Sequence, residues 1–174
     1  MSDTVSVRDA RTPDTRKWIE AVYRDYLDDL APLATGVFPS LGEVGHSVPD
    51  QLKRWYADVR ASPLVIMLGQ NPVGFAMVAR ARAGMAGSDS DFRMAEFFIA
   101  RAQRRLGVGR TAVQLIFDRF AGRWEITEYT RNPGAVRFWR RVVMLYTRGD
   151  FQERMANGEV RQTFLSGHKR ISKG

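Results

Sequence analysis

The sequence has no cysteine, which excludes disulfides and thiolate zinc sites and makes a reducing, cytoplasmic compartment the expectation. Its only histidines, His46 and His168, lie far apart. They leave little material for a metal site, and no metal is expected. No stretch approaches the ~20 consecutive apolar residues of a membrane span, so no membrane association is expected. The opening MSDTVSVRDARTPDT is polar and lacks the apolar segment of a secretory leader. Internal repeats and low-complexity segments are missing too.

What is present describes a globular chain. Its 174 residues, 44% hydrophobic and 26% charged, suffice for one buried core and read as a single domain over residues 1–174. The formal net charge of +8 attracts polyanions. The basic residues are mostly arginines spread from Arg8 to Arg170, which suits a solvated surface or a basic entrance for a phosphorylated ligand better than a nucleic-acid patch.

Periodicity predicts mixed α/β structure. Strands are expected at Val5–Arg8, Leu64–Leu68, Val73–Ala79, Phe92–Ile99, Trp124–Tyr129, Met144–Thr147 and Val160–Leu165. Helices are expected from Pro13–Thr15 to about Leu30, over Pro49–Val59, Val108–Phe120 and Pro133–Val142. In the first helix Trp18, Val22, Tyr26 and Leu30 share a face. Asn132 and Pro133 provide an N-cap and a first-turn proline. The stretch Ala31–Ser47, rich in Pro and Gly and holding Phe38 and His46, reads as a long functional loop. Ala83–Asp91 reads as a flexible connection.

The informative segment is residues 94–117, an apolar strand, a loop with two glycines, and a helix. Backbone N–H groups at a helix start converge on one point, and the helix dipole adds positive potential there. Gly107 and Gly109 allow close backbone approach, and Arg104, Arg105 and Arg110 add charge. A pyrophosphate suits such a site. The spacing Gly107-x-Gly109-x-x-Ala112 matches a dinucleotide fingerprint only loosely, because the strand follows a hairpin instead of opening a parallel βαβ unit. No Walker-type GKS or GKT follows.

Arg104-Arg105-Leu106-Gly107-Val108-Gly109 resembles the R/Q-x-x-G-x-G/A loop of the GCN5-related N-acetyltransferases (GNAT). Asn132-Pro133-x-Ala135-x-x-Phe138-Trp139 resembles that family's N-x-x-A-x-x-F/L-Y helix. The two motifs stand in the family's order, within a subgroup of bacterial predicted acetyltransferases. The resemblance implies one GNAT-like domain. Its sheet would be mostly antiparallel, of about six to seven strands, splayed between the fourth and fifth and flanked by about four helices. It implies acetyl-CoA as cosubstrate. Phe98 and Ile99 would offer backbone groups to the pantetheine arm, the amides of Arg104, Arg105, Leu106, Gly107, Val108, Gly109 and Arg110 would hold the pyrophosphate, and Asn132 would lie near the pantetheine or sulfur.

The implied reaction is acetyl transfer to a primary amine, carried by a small molecule or a peptide. Glu96, inside the apolar strand, is the candidate base, since burial raises a carboxylate's pKa toward neutrality. Its competing reading is an ion pair with Arg93 or Arg101. It lies three residues before Ile99, while some relatives place the base six before, and those two positions face opposite sides unless a bulge intervenes. Trp139 stands where relatives carry a proton-donating tyrosine, which leaves Tyr146, Tyr129 or water as the candidate acid. Asp25, Asp28 and Asp29 are candidates for attracting a cationic acceptor. The competing functions are a non-catalytic CoA-binding or sensor module and a basic nucleic-acid- or ribosome-associated protein. A homodimer is left open.

Overall fold

Leu64–Leu68 and Val73–Ala79 are apolar on both faces of an extended chain, so the sheet they form needs cover on both sides. A computed structural model, describing residues 3–30, 48–81 and 89–167, provides it with helices on each face. In chain order the elements are β1 (Val5–Asp9), α1 (Pro13–Leu30), α2 (Val48–Ala57), β2 (Ala61–Leu68), β3 (Asn71–Arg80) and β4 (Phe92–Ile99). A 3-10 turn at Arg101–Gln103 follows, then α3 (Val108–Arg119), β5 (Arg123–Tyr129), α4 (Pro133–Thr147), β6 (Gln152–Ala156) and β7 (Glu159–Leu165).

The seven strands form one sheet in the order β1-β2-β3-β4-β5-β7-β6. Neighbours are antiparallel except β4 and β5, which run parallel and pair only at Phe92 with Trp124 and Arg93 with Glu125. Beyond those two pairs the strands diverge. The expected mixed sheet, splayed between its fourth and fifth strands with four flanking α-helices among the described residues, is therefore present.

On one face, Tyr23, Tyr26 and Leu27 of α1 and Leu52 of α2 bury against Val65, Phe75, Met77 and Phe98. The buried stripe of α1 is Ile19, Tyr23, Tyr26 and Leu27, and Trp18, Val22 and Leu30 pack at its margin. On the other face, Val113, Ile116 and Phe117 of α3 and Trp139, Val142 and Val143 of α4 cover Leu64, Val78, Trp124 and Ile126. Each such side chain contributes roughly 1.5–3 kcal/mol of transfer free energy, so both helix pairs are fixed relative to the splay. Among the described residues, no helix is long and apolar enough to cross a membrane.

Two expectations at the C-terminal end are corrected. Met144–Thr147 is the last turn of α4, not a strand. Its aromatic and branched residues imitate a strand locally, but the 3.6-residue stripe Val136, Trp139, Val142, Val143 carries the helix on, until Arg148 and Gly149 end it with positive φ. The strand pairing with β7 is instead β6, every residue of which is exposed. It has no apolar alternation to announce it. The turn Asn157-Gly158, with φ of 54° and 77°, is the signal that marks the hairpin.

Candidate active site

The chain leaves β4 through the 3-10 turn and reaches α3 by way of Arg105 and Gly107, whose φ values are 63° and 81°. Gly107 caps α3, and its carbonyl accepts the first intrahelical bond, from the Thr111 amide at 3.0 Å. The amides of Val108, Gly109 and Arg110 precede that bond and have no partner within the helix. A Cβ on Gly107 would meet nothing within 4 Å, so this glycine serves the left-handed backbone. One on Gly109 would sit 3.4 Å from the Phe138 ring and 3.5 Å from Ile99, so there the glycine serves close approach.

The splay exposes backbone groups in front of this loop. The Ala100 amide donates to Val73 O at 2.8 Å, which sets the alternation along β4. Phe98 and Ala100 spend their backbone groups on β3, while Phe97 and Ile99 turn theirs toward the gap. The expectation that Phe98 offers backbone groups is corrected by this register: its N–H and C=O belong to the β3 ladder, and only its side chain borders the cleft. The approach of β3 is tight, since a Cβ on Gly74 would lie 2.4 Å from Phe98 O.

The resulting cleft, about 880 Å³, runs between the end of α1, the 104–110 loop and the first turns of α4. Arg104, Arg105, Leu106, Gly107, Gly109, Arg110, Asn132 and Ile99, all named as candidate cofactor contacts, line it. The Val108 side chain does not. It is buried with Ile66, Val73 and Ala112, leaving only its amide at the helix start. Tyr26 and Phe138 line the cleft as well, with Phe97 and Arg141, which the sequence did not single out. The 134, 138, 141 spacing on one face of α4 is the signal that would have found Arg141. Phe138 stacks on Phe97, centroids 5.8 Å apart, and Trp139 meets Phe97 edge-on at 5.3 Å.

Arg104 is engaged on three sides. Its Nε donates to Ile99 O at 2.7 Å, its Nη2 donates to Asp29, and its guanidinium lies 5.5 Å from the Phe98 ring centroid. Arg101 pairs with the same Asp29 at 3.0 Å. Burial raises the Asp29 carboxyl, but the hydrogen bonds and charges of Arg104 and Arg101 outweigh it and hold the group below the usual carboxylate range. Asp29 is thus a tie between α1 and the loop, not a lure for a cationic acceptor.

Glu96 is 6% exposed and faces α1 and α2. Plain alternation from Phe98, which pairs with Phe75, puts it there, and a bulge follows on its N-terminal side. Glu96 pairs with Met77 and Met94 with Val78, leaving Ala95 as the extra residue. Its partner is not an arginine: Tyr23 Oη donates to Oε1 at 2.6 Å. Burial pushes the carboxyl up to about 7, against the opposing pull of Tyr23 and Trp55. Glu96 is adjacent in the strand to Phe97, whose backbone groups face the gap from which the cleft opens.

Asn132 caps α4, its Oδ1 accepting from the Ala135 amide at 3.0 Å, and it borders the cleft. Trp139 is 8% exposed at the cleft floor. Tyr146 is corrected as a candidate acid: it lies on the last turn of α4, donates to Asp118 at 2.7 Å, accepts from the Gly167 amide, and packs on Phe117 and Phe164. Tyr129 ends β5 and does not line the cleft. Phe38, His46 and His168 lie outside the described residues. Among the described residues, no group of three or more His, Cys, Asp or Glu could hold a metal ion.

Comparison with known proteins agrees with this architecture. A model of the family described as "Acetyltransferase (GNAT) family" matches residues 19–143. An acetyltransferase structure from Thermus thermophilus superposes with a TM-score of 0.68 at 19% identity, over 95% of this chain and 99% of that one. A GNAT-family acetyltransferase from Streptococcus agalactiae gives 0.63 at 13%, covering 95% and 98%. Spermidine N-acetyltransferase from Vibrio cholerae, in complex with CoA and spermine, gives 0.60 at 15%, covering 93% and 95%. No curated protein matches.

Proposed function

The chain belongs to the GNAT acetyltransferase family, and on that premise we propose that it transfers an acetyl group from acetyl-CoA to a primary amine. The observation that carries this reading is the unpaired start of α3, set against a splay into which Phe97 and Ile99 turn their backbone groups. A diphosphate matches those convergent donors. An extended amide-bearing arm matches a strand edge that β5 leaves open. Arg105, Arg110 and Arg141 at the cleft supply positive potential for a phosphorylated ligand. The residues present therefore fit the cosubstrate.

Acetyl-CoA supplies an activated acyl group as a thioester. The Val108, Gly109 and Arg110 amides would hold its diphosphate. The Ile99 and Phe97 backbone would align the arm, and a strand amide would stabilise the oxyanion. Glu96, with its carboxyl near neutrality, would take the proton that an ammonium must lose before it becomes nucleophilic. Holding both reactants side by side provides much of the acceleration. No cleft side chain is required as general acid, because a thiol with a pKa of about 8.5 leaves readily as thiolate. The CoA and spermine bound to the Vibrio cholerae enzyme support a cosubstrate and acceptor of these classes.

The test is calorimetric titration with acetyl-CoA, followed by a thiol-release assay over alkyl amines, polyamines, amino acids and peptides. Saturable binding with turnover on an amine supports the reading. Absence of binding at millimolar acetyl-CoA overturns it. Binding with no turnover across the panel favours a CoA-responsive module.

A further inference from the structure

Glu96 is approached by two helices at once. Tyr23, from α1, donates to Oε1 at 2.6 Å. Trp55, from α2, brings its indole close enough to favour the ionised forms of both Glu96 and Tyr23. Yet Trp55 Nε1 and Glu96 Oε2 are both buried without a hydrogen-bond partner. A buried donor and a buried acceptor, neighbouring and each unsatisfied, call for an explanation.

The surroundings narrow the explanation. The other titratable group facing the carboxylate is Tyr26 of α1, whose hydroxyl is held well above its usual range by burial and then by the Glu96 charge. Met77, opposite on β3, is apolar and buried. Arg93, on the same strand, is exposed. Among the described residues no cation contributes to the Glu96 equilibrium. The described residues give Glu96 one hydrogen bond, from Tyr23 to Oε1, and leave Oε2 untied.

We infer that Tyr23 and Trp55 are positioning residues for Glu96: Tyr23 ties up Oε1, which leaves Oε2, the oxygen without a partner, to take the acceptor's proton with the Trp55 indole near the carboxylate. This rests on Glu96 being the base. In the step, one N–H bond of the acceptor ammonium breaks and its electron pair stays on nitrogen as the nucleophilic lone pair. One O–H bond forms at Oε2, directly or across one water. An ammonium and a carboxylate become a neutral amine and a neutral acid, so charge is conserved. Once Oε2 is protonated, the indole has lost the negative charge that favoured its approach, and α2 registers the state of the base.

The experiment needs no knowledge of the acceptor. Trp55 is assigned in the NMR spectrum of the full chain by its absence in Trp55→Phe, and its indole N–H resonance is followed from pH 5 to 9 beside the Glu96 carboxyl carbon. The two should share one midpoint near 7, and the indole should cease to titrate in Glu96→Gln. Tyr23→Phe and Trp55→Phe should each raise the Glu96 midpoint by about one pH unit, since each removes a donor to the ionised form. The acid limb of kcat/KM should move with it. A Trp55 resonance flat across this range in the wild-type protein overturns the assignment, even if the variants fold poorly. So does an unmoved midpoint in both variants. The underlying reading fails separately: Glu96→Gln would then keep its turnover and its acid limb.

Discussion

Gly107 and Gly109 are two residues apart, yet the structure gives them different work, and substitution should separate the two. At Gly107 the backbone has φ of 81° and a Cβ would meet nothing within 4 Å. Gly107→Ala therefore adds left-handed strain without a clash, at a cost of about 1–2 kcal/mol. For a chain of this length each kcal/mol corresponds to a fall in Tm of about 2–4 °C. At Gly109 the φ is not positive, so the backbone accepts a side chain. A Cβ would already touch Phe138 at 3.4 Å and Ile99 at 3.5 Å. The γ-methyls of Gly109→Val have no slack toward either, and must project into the cleft in front of the α3 amides. Losing even one charge-assisted bond from amide to phosphate costs about 2 kcal/mol, or roughly 30-fold in Kd. Differential scanning fluorimetry with acetyl-CoA calorimetry on both variants reads the difference. Gly107→Ala should lose Tm. Gly109→Val should keep most of its Tm and lose affinity. Wild-type affinity in a folded Gly109→Val protein would refute the placement of the diphosphate at this loop, and an unchanged Tm in Gly107→Ala would refute the strain argument.

Glu96→Gln should keep acetyl-CoA affinity and lower turnover by roughly 10²-fold. It should also change the pH dependence of stability. The Glu96 carboxyl rises on folding from 4.5 to about 7, so its favourable contribution is complete below pH 4.5 and is lost as pH rises through 7. That is a decline of about 3 kcal/mol, and denaturant melts from pH 4 to 8 should show it in the wild type and not in the variant. Glu128, 3% exposed and pushed up to about 8 by burial and by the Glu153 charge, should behave alike, so Glu128→Gln should be the more stable protein at pH 9. Asp29→Asn removes the one carboxylate that lines the cleft among the described residues and frees Arg104 from α1. It should tighten acetyl-CoA by a few fold in low salt, with the gain fading above ~0.2 M salt, as titrations at two ionic strengths will show. Tyr146→Phe should leave kcat intact and lower stability by about 1 kcal/mol, the worth of its bond to Asp118.

The family and the two-glycine loop at the start of α3 were legible in the sequence because both depend on local, directional constraints. Two glycines, an arginine run and an apolar strand before a helix specify a helix start with open amides wherever the rest of the chain goes. Asn132 and Pro133 likewise announced the start of α4. The apolar runs Leu64–Leu68 and Val73–Ala79 identified the β2–β3 hairpin. What remained hidden depended on pairing across distance. The register of β4 against β3 pairs Glu96 with Met77 and leaves a bulge at Ala95, and that pairing sets Glu96 against Tyr23, 73 residues away in sequence. The same register spends the Phe98 backbone on β3 and frees that of Phe97. The strand β6 carries no apolar pattern, since one face lies open and its order comes from its ladder with β7. Tyr146 was separated from the cleft only by the continuation of α4, which tertiary burial of Val142 and Val143 decided over local propensity. Short-range chemistry is written residue by residue. The direction in which a side chain on a strand points depends on the neighbouring strand, and that exists only in the folded molecule.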